Sequence, residues 1–251
     1  MKLETPYDQV AFSEMNTWQR KMKRKPSFIN NISKRVQNRI NNWIPEKVHK
    51  FITTALREMT KAMISGAGLI TPAPVYNETL ENREKKVLKQ IEFYKKTAAI
   101  EGAATGAGGI LLGFADFPLW LSIKMKLLLE IASLYGLDVN KSSERLFILY
   151  IFQLAFSSQE NRNEVYLKIE KWSEHPGLPA PELSSFDWRK FQQEYRDYID
   201  LAKFFQLVPG IGAVVGAYVN HRLTDHLGST AMNAYRMRYF GSSRESLVVS
   251  H

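Results

Sequence analysis

The sequence predicts an all-α protein, a multi-helix globular domain with two glycine-striped helices packed at its centre and a basic amphipathic helical extension before it. Apolar residues recur at helical spacing along most of the chain. No segment shows sustained strand-like alternation or a hairpin turn signal. Glycines in two segments recur every three or four residues, which aligns them along one side of a helix. We expect the extension over residues 1–44, the domain over 45–240 and a frayed tail over 241–251.

Proline, glycine and polar residues mark the ends of the predicted helices. We expect Asn77 to cap the long helix that leads into the glycine-rich segment and Gly136 to end the helix after that segment. A break is expected near Gly228 in the last helix. The run 146–152 is apolar on all sides, as in a central buried helix. Helices are predicted over 10–22, 27–42, 45–65, from 78 into the segment 98–121, over 117–135, 140–157 and 162–172, from 184 or 185, over 209–220 and over 224–240.

The two glycine stripes are the most unusual feature of the sequence. Each glycine inside a helix costs roughly 1 kcal/mol relative to alanine, so a stripe needs a compensating close contact. We expect the two stripes to face each other, with Gly106 and Gly109 against Gly212 or Gly216. If the stripes open to admit a lipid chain, its walls would be Ile110, Leu111, Leu112, Phe114, Val214 and Val215. The stripe residues are Gly102, Gly106, Gly109 and Gly113 in the first helix and Gly212, Gly216 and Asn220 in the second.

Positive charge is concentrated in the N-terminal fifth of the chain. The formal net charge is +9, and residues 1–50 alone hold eleven Lys/Arg against four Asp/Glu. A basic amphipathic segment of this kind suits an anionic membrane surface or nucleic acid, and it also suits a merely solvated helix face. Nucleic acid is the less favoured partner because no helix-turn-helix spacing or RNA-binding motif is present. The predicted membrane-binding residues are Trp18, Arg20, Lys21, Lys23, Arg24, Lys25 and Trp43.

Four polar residues in apolar surroundings are the candidates for chemistry: Glu101, Asp116, Glu130 and Arg145. Buried carboxylates can have raised pKa values and act as acids or bases. A structural interpretation is favoured, with Asp116 as a helix cap, Glu130 paired with Lys126, and Glu101 paired with Lys95 or Arg145. The histidines lack metal-ligand spacing, and nucleotide-binding and nucleophile-elbow motifs are missing. We therefore predict no catalytic residue, metal or cofactor.

Membrane topology follows from the length and polarity of the apolar segments. A spanning helix needs about 20 mainly apolar residues. The segment 98–123 is long enough but contains Glu101, Asp116 and Pro118. The N-terminus shows no signal peptide, and the chain has no cysteine, which fits a reducing compartment. We therefore expect a cytoplasmic protein that is peripheral on the inner face of the cell membrane.

Several short motifs occur together in the sequence: Glu101–Gly106, Asp116 with Pro118, Glu130–Ala132 with Tyr135 and Gly136, Glu144 with Arg145, and Pro209, Gly212 and Ala213 with Asn220 and Ala234–Arg236. This combination resembles the EcsC family of bacterial proteins over about residues 50–240. The resemblance implies a helical domain of unassigned biochemistry and no established active site. The namesake of the family is encoded beside an ABC transporter linked to secretion and proteolysis at the membrane. We therefore expect a non-enzymatic, lipid-contacting accessory protein, with a nucleic-acid-binding protein and, more remotely, a lipid-acting enzyme as alternatives.

Overall fold

Seven helices, and no strands, are found in the part of the chain that the computed structural model describes, which confirms the all-α prediction. The described residues are 4–24, 46–66, 73–107, 117–157, 159–174, 187, 191 and 212–248. The predicted helix over 27–42 lies outside these ranges, as does most of the helix expected from 184 or 185. The helices are α1 Pro6–Met22, α2 Glu46–Ser65, α3 Leu80–Ala107, α4 Phe117–Leu134, α5 Ser142–Phe156, α6 Gln159–Glu174 and α7 Gly212–Val248.

The two longest helices, α3 and α7, form an antiparallel pair that makes the most extensive helix–helix contact of the described structure. Residue numbers rise along α3 as they fall along α7, so the C-terminal end of α3 meets the N-terminal end of α7. Glycines allow close packing at two levels of this pair, against backbone at Gly102 and against a side chain at Gly228. From that end to the other, the contacting pairs are Gly102–Gly216, Lys95–Asp225, Ile91–Gly228 and Glu84–Arg236.

The expected break near Gly228 is wrong, because α7 runs without interruption from Gly212 to Val248 and so joins the last two predicted helices. A Cβ atom added to Gly228 would lie 2.6 Å from Cγ1 of Ile91 in α3. The glycine therefore accommodates a neighbouring side chain within a continuous helix. The helix also extends into the segment 241–251, and Gly241 packs directly on the main-chain carbonyl of Ser173 in α6.

Helix α5 is the buried centre of the fold, as its apolar run predicts. Every side chain from Glu144 to Phe156 is buried. Helices α2, α4, α6 and α7 all contact α5, and its Phe147 ring lies 5.5 Å from the rings of both Trp172 and Tyr235. The hydrophobic core therefore surrounds α5, and α3 and α7 close one side of it.

The predicted turn at Gly136 is confirmed in atomic detail. Its φ angle is +84°, in the left-handed region that glycine adopts without strain. The Gly136 amide donates to the carbonyl of Ser133 at 2.8 Å, and the Leu137 amide donates to the carbonyl of Ala132 at 3.1 Å. These two bonds form the Schellman arrangement that ends α4.

The start of α3 differs from the prediction. Thr79, not Asn77, caps the helix, because the Thr79 hydroxyl oxygen accepts the amide of Asn82 at 3.3 Å. Asn77 instead has a φ angle of +57°. Asparagine tolerates this left-handed conformation in a turn, so the residue serves the bend that precedes the helix.

Helix α1 packs against the same core through one side. Ala11 and Met15 are buried, and the Phe12 ring meets the Phe240 ring edge-on at 5.2 Å. The helix starts at Pro6, four residues before the prediction, because Thr5 and Asp8 form a capping box at its N-terminus. Residues 25–44 of the predicted extension lie outside the described ranges.

Candidate functional site

Helices α3, α4 and α7 meet where Gly102 touches Gly216. Gly102 is buried, and a Cβ atom added to it would lie 2.5 Å from the Gly216 carbonyl oxygen and 2.6 Å from Nδ2 of Asn220. Only a glycine permits this approach of two helix backbones. The contact lies one turn before the predicted contact at Gly106.

The predicted contacts of Gly106 and Gly109 with Gly212 or Gly216 fall outside what the structure describes. Gly106 and Gly212 are helical, but their surroundings lie outside the description, and Gly109 and Gly113 fall outside the described ranges altogether.

A chain of hydrogen bonds crosses the three helices beside this contact. The Trp120 indole N–H donates to Oδ1 of Asn220 at 2.9 Å, and Nδ2 of Asn220 donates to Oε2 of Glu101 at 2.7 Å. Asn220 is 3% exposed, so both ends of its amide are engaged inside the protein. The structure thus joins two residues that the sequence singled out, Glu101 and Asn220, and adds Trp120. The expected pairing of Glu101 with Lys95 is wrong, since Lys95 pairs with Glu92 and Asp225.

Lys124 is the most unusual member of this cluster and, like Trp120, was not among the candidates that the sequence predicted. Its side chain is completely buried, and Nζ has no hydrogen-bond partner within the described structure. The ammonium lies 4.8 Å from the centre of the Trp120 ring, a cation–π contact that offsets part of the cost of burial. Burial lowers the pKa of Lys124 to about 7, against an opposing effect of the Glu101 carboxylate. Lys124 follows Trp120 by four residues and so lies on the same apolar face of α4. This spacing could have predicted from the sequence that Lys124 is buried.

A second polar cluster, at the other end of the α3–α7 pair, is fully compensated. The Glu84 carboxylate is completely buried and accepts two bonds from the Arg236 guanidinium at 2.7 and 2.6 Å. The phenols of Tyr7 and Tyr135 donate to the same carboxylate at 2.6 and 2.8 Å, and Arg236 also donates to Glu14 at 2.9 Å. This arrangement, which we call the Glu84 clasp, ties α1 and the end of α4 to α3 and α7.

Glu130 and Arg145, two further polar candidates, each form hydrogen bonds to another element of the fold. Glu130 accepts a hydrogen bond from the Tyr94 phenol at 2.7 Å, and burial together with this carboxylate raises the pKa of Tyr94. Lys126 is exposed on the same face of α4, but no ion pair joins it to Glu130 in the described structure, so the predicted pairing is wrong.

Arg145 donates to the main-chain carbonyls of Met63, Val139 and Asn140, which fixes the end of α2 to the turn before α5. Asp116, the fourth candidate, lies outside the described residues.

The basic residues at the end of α1 divide into two groups. Arg20, Lys21 and Arg24 are exposed and make no ion pair within the described structure. Lys23 pairs with Glu170 of α6 at 2.7 Å. Trp18 is partly buried, with its ring 5.9 Å from the Tyr166 ring in an edge-on contact. Lys25 and Trp43 lie outside the described residues.

The described ranges contain neither a metal-binding cluster nor a membrane-spanning helix. No group of three or more histidine, aspartate or glutamate side chains is arranged to hold a metal ion there. Within the same ranges, no helix has both the length and the apolar character that crossing a bilayer would require.

The family resemblance was tested by comparison with known proteins. The model of the EcsC protein family matches residues 9–240. The chain belongs to the EcsC family. It is 44% identical over 232 residues to Protein EcsC of Bacillus subtilis (strain 168), a match that covers 92% of this chain and 95% of that protein. It is 27% identical over 202 residues to the uncharacterized protein YdbA of the same organism, covering 80% of this chain and 68% of YdbA.

No solved structure matches the chain significantly. The family match begins at residue 9 and so includes most of α1, which the sequence motifs alone had left outside the EcsC-like region.

Proposed function

We propose that this EcsC-family protein is a peripheral membrane accessory protein, without covalent chemistry of its own, that contacts anionic lipid on the inner face of the cell membrane. The observation that supports this proposal is the group of three exposed, unpaired cations at the end of α1: Arg20, Lys21 and Arg24. We further propose that its protein partner is a membrane transporter or secretion complex, which the family resemblance suggests.

The way in which α1 is held favours such a role. Met15 and Ala11 bury one side of the helix, and the Glu84 clasp fixes its first turns through Tyr7 and Glu14. The cations are therefore presented on a helix that is already ordered, so binding costs little conformational entropy. Each basic side chain near an anionic membrane contributes about 1 kcal/mol, so three provide about 3 kcal/mol.

Vesicle co-sedimentation of the full chain tests the proposal. We expect binding to phosphatidylglycerol-containing vesicles and little binding to phosphatidylcholine alone. Combined replacement of Arg20, Lys21 and Arg24 by glutamine should weaken this binding roughly a hundredfold. A matched control removes the same charge from α3 through K85Q, K89Q and K96Q and should lose far less.

Equal losses in the two triple variants would show that net charge alone, and not the end of α1, governs binding. Duplex DNA at the same salt concentration forms the third arm of the experiment. Binding to DNA in place of vesicles would favour the nucleic-acid alternative.

The proposed role of the glycine stripes is to pack α3 closely against α7 at the centre of the domain. We propose that they face each other beyond the contact of Gly102 with Gly216. Opposed small residues let helix backbones pack closely, which offsets the helix cost of each glycine. Gly109→Leu would then lower the melting temperature strongly through overpacking. An unchanged melting temperature would place Gly109 outside such a contact.

One observation supports a second candidate function, a lipid-acting enzyme. The Lys124 amine lies over the Trp120 ring with no hydrogen-bond partner in the described structure, and burial lowers its pKa to about 7, so near neutral pH it could accept a proton from a substrate that reached it. The Glu101 carboxylate nearby would complete an acid–base pair. Incubation with phospholipid, followed by mass spectrometry of the lipid products, tests this role. A product that forms with the wild type and not with Lys124→Met would establish the enzyme and refute the non-enzymatic proposal.

A further inference from the structure

A groove of about 620 Å³ lies between α2 and α4, on a part of the surface formed by neither α1 nor α7. It extends along α2 from Phe51 to Met63 and along α4 from Pro118 to Leu129. At 1.5 Å per helical residue, the groove is therefore about 17 Å long. Its volume lies within the range of natural small-molecule sites.

The walls of the groove are mainly apolar and adaptable. Phe51, Ala55 and Leu121 contribute rigid apolar surface, and Met59, Met63 and Met125 contribute three flexible thioethers. Methionine side chains adjust to irregular apolar ligands, and they are common at surfaces that accept more than one shape. A long, narrow apolar groove of this kind matches a single extended hydrocarbon chain better than a compact ring system.

The charge at the rim of the groove is positive. Lys126 lines the groove, is exposed, and makes no ion pair within the described structure. Glu58 also lines the groove, but its carboxylate is paired with Lys61 at 2.9 Å. One uncompensated cation therefore remains beside the apolar walls. A ligand with an apolar chain and a negatively charged head complements this distribution.

We propose that the groove between α2 and α4 binds one acyl chain of an anionic phospholipid, with the headgroup phosphate beside Lys126. This inference rests on the proposed function, since it takes the anionic membrane as the source of the lipid. It concerns a different surface from the cations of α1, which would bind the bilayer from outside without removing a lipid from it.

Titration of the full chain with dioctanoyl phosphatidylglycerol, kept below its micellar concentration and followed by calorimetry, tests the site. Ala55→Trp fills the groove and should weaken binding about tenfold or more, because the bulky ring displaces several methylene groups of the chain. Thr53→Trp places the same ring on the opposite side of α2 and should bind as the wild type does. If Ala55→Trp does not fold by circular dichroism, Ala62→Leu replaces it, since Ala62 also lines the groove.

The headgroup contact has its own readout. Lys126→Gln should weaken binding of the phosphatidylglycerol about fivefold and leave the melting temperature unchanged, since one exposed cation near an anionic group contributes about this much. Equal affinity of wild type and Ala55→Trp would overturn the proposal. Tighter binding of free octanoate than of the phospholipid would also overturn it, because the ligand would then be a free fatty acid.

The triple variant of α1 separates the two proposals. It should lose vesicle binding and retain the wild-type affinity for the short-chain phospholipid. Vesicle binding that persists in the wild type while the groove binds no lipid would refute the groove and leave the proposed function intact.

Discussion

Replacing Lys124 by methionine should stabilise the protein, and the gain should depend on pH. Methionine has a similar length and no charge, so it keeps the packing beside Trp120 and removes the buried amine. The folded pKa of Lys124 is about 7, below its ordinary value of 10.5. Between these two values the unfolded chain binds one more proton than the folded chain, so the wild-type free energy of unfolding rises with pH.

The magnitude follows from this difference in proton binding. Each pH unit between the two pKa values changes the stability by up to 1.36 kcal/mol, so the wild type should gain about 2 kcal/mol from pH 7 to pH 9 through this group. Lys124→Met lacks that contribution. Its stability advantage over the wild type should therefore be largest at pH 7 and about 2 kcal/mol smaller at pH 9. The effect is read as a difference between proteins, so other groups that titrate in both cancel.

Urea denaturation at pH 7, 8 and 9, followed by circular dichroism, measures this difference directly. Lys126→Met is the matched control, because Lys126 lies on the same helix but is exposed. It should leave the pH dependence unchanged. A Lys124→Met protein that is less stable than the wild type at pH 7, or one whose advantage is constant with pH, would refute the assignment of a costly buried amine.

The remaining predictions concern the α3–α7 pair. Gly102→Ala should destabilise the fold by about 1–3 kcal/mol, because its Cβ meets the rigid carbonyl of Gly216. Gly228→Ala should cost less, because its Cβ meets the side chain of Ile91 and not backbone. Thermal denaturation of the two variants compares their melting temperatures. An equal decrease in both would contradict the distinction between a backbone contact and a side-chain contact. Glu84→Gln should cost about 3–5 kcal/mol in urea denaturation, because the buried Arg236 would keep only the exposed Glu14 carboxylate as an ionic partner, and a loss under 1 kcal/mol would contradict this.

Much of the fold could be predicted because local rules and tertiary packing agree there. The central helix α5 follows from an apolar run with no polar side, and the end of α4 follows from a glycine that only a left-handed turn explains. The prediction failed at Gly228, where the cost of a glycine inside a helix suggested a break. The compensating contact comes from Ile91, a residue 137 positions earlier in the chain, and local reasoning has no access to it.

The candidate site was predictable only in part for the same reason. Glu101 was singled out as a carboxylate in apolar surroundings and Asn220 as part of the second glycine stripe, and their hydrogen bond was then found between α3 and α7. The Glu84 clasp was not predicted, although Tyr135 and Arg236 belong to motifs that carried the family resemblance. Its members lie in charged helices where Glu84 is one acidic residue among many. Glu84 is buried because the register of α3 against α7 places it opposite Arg236.

The two ends of the α3–α7 pair differ in how well a buried charge is paired with groups of opposite charge or with hydrogen-bond partners. At the Glu84 clasp the buried carboxylate meets a guanidinium and two phenols, which is the arrangement that makes a buried charge tolerable. At Lys124 the only compensation described is an aromatic face and a more distant carboxylate. A fold that needed Lys124 only for packing would be more stable with an apolar residue there. This weakly compensated amine therefore makes the Gly102–Gly216 end, and not the clasp, the part of this pair where a functional role is to be sought.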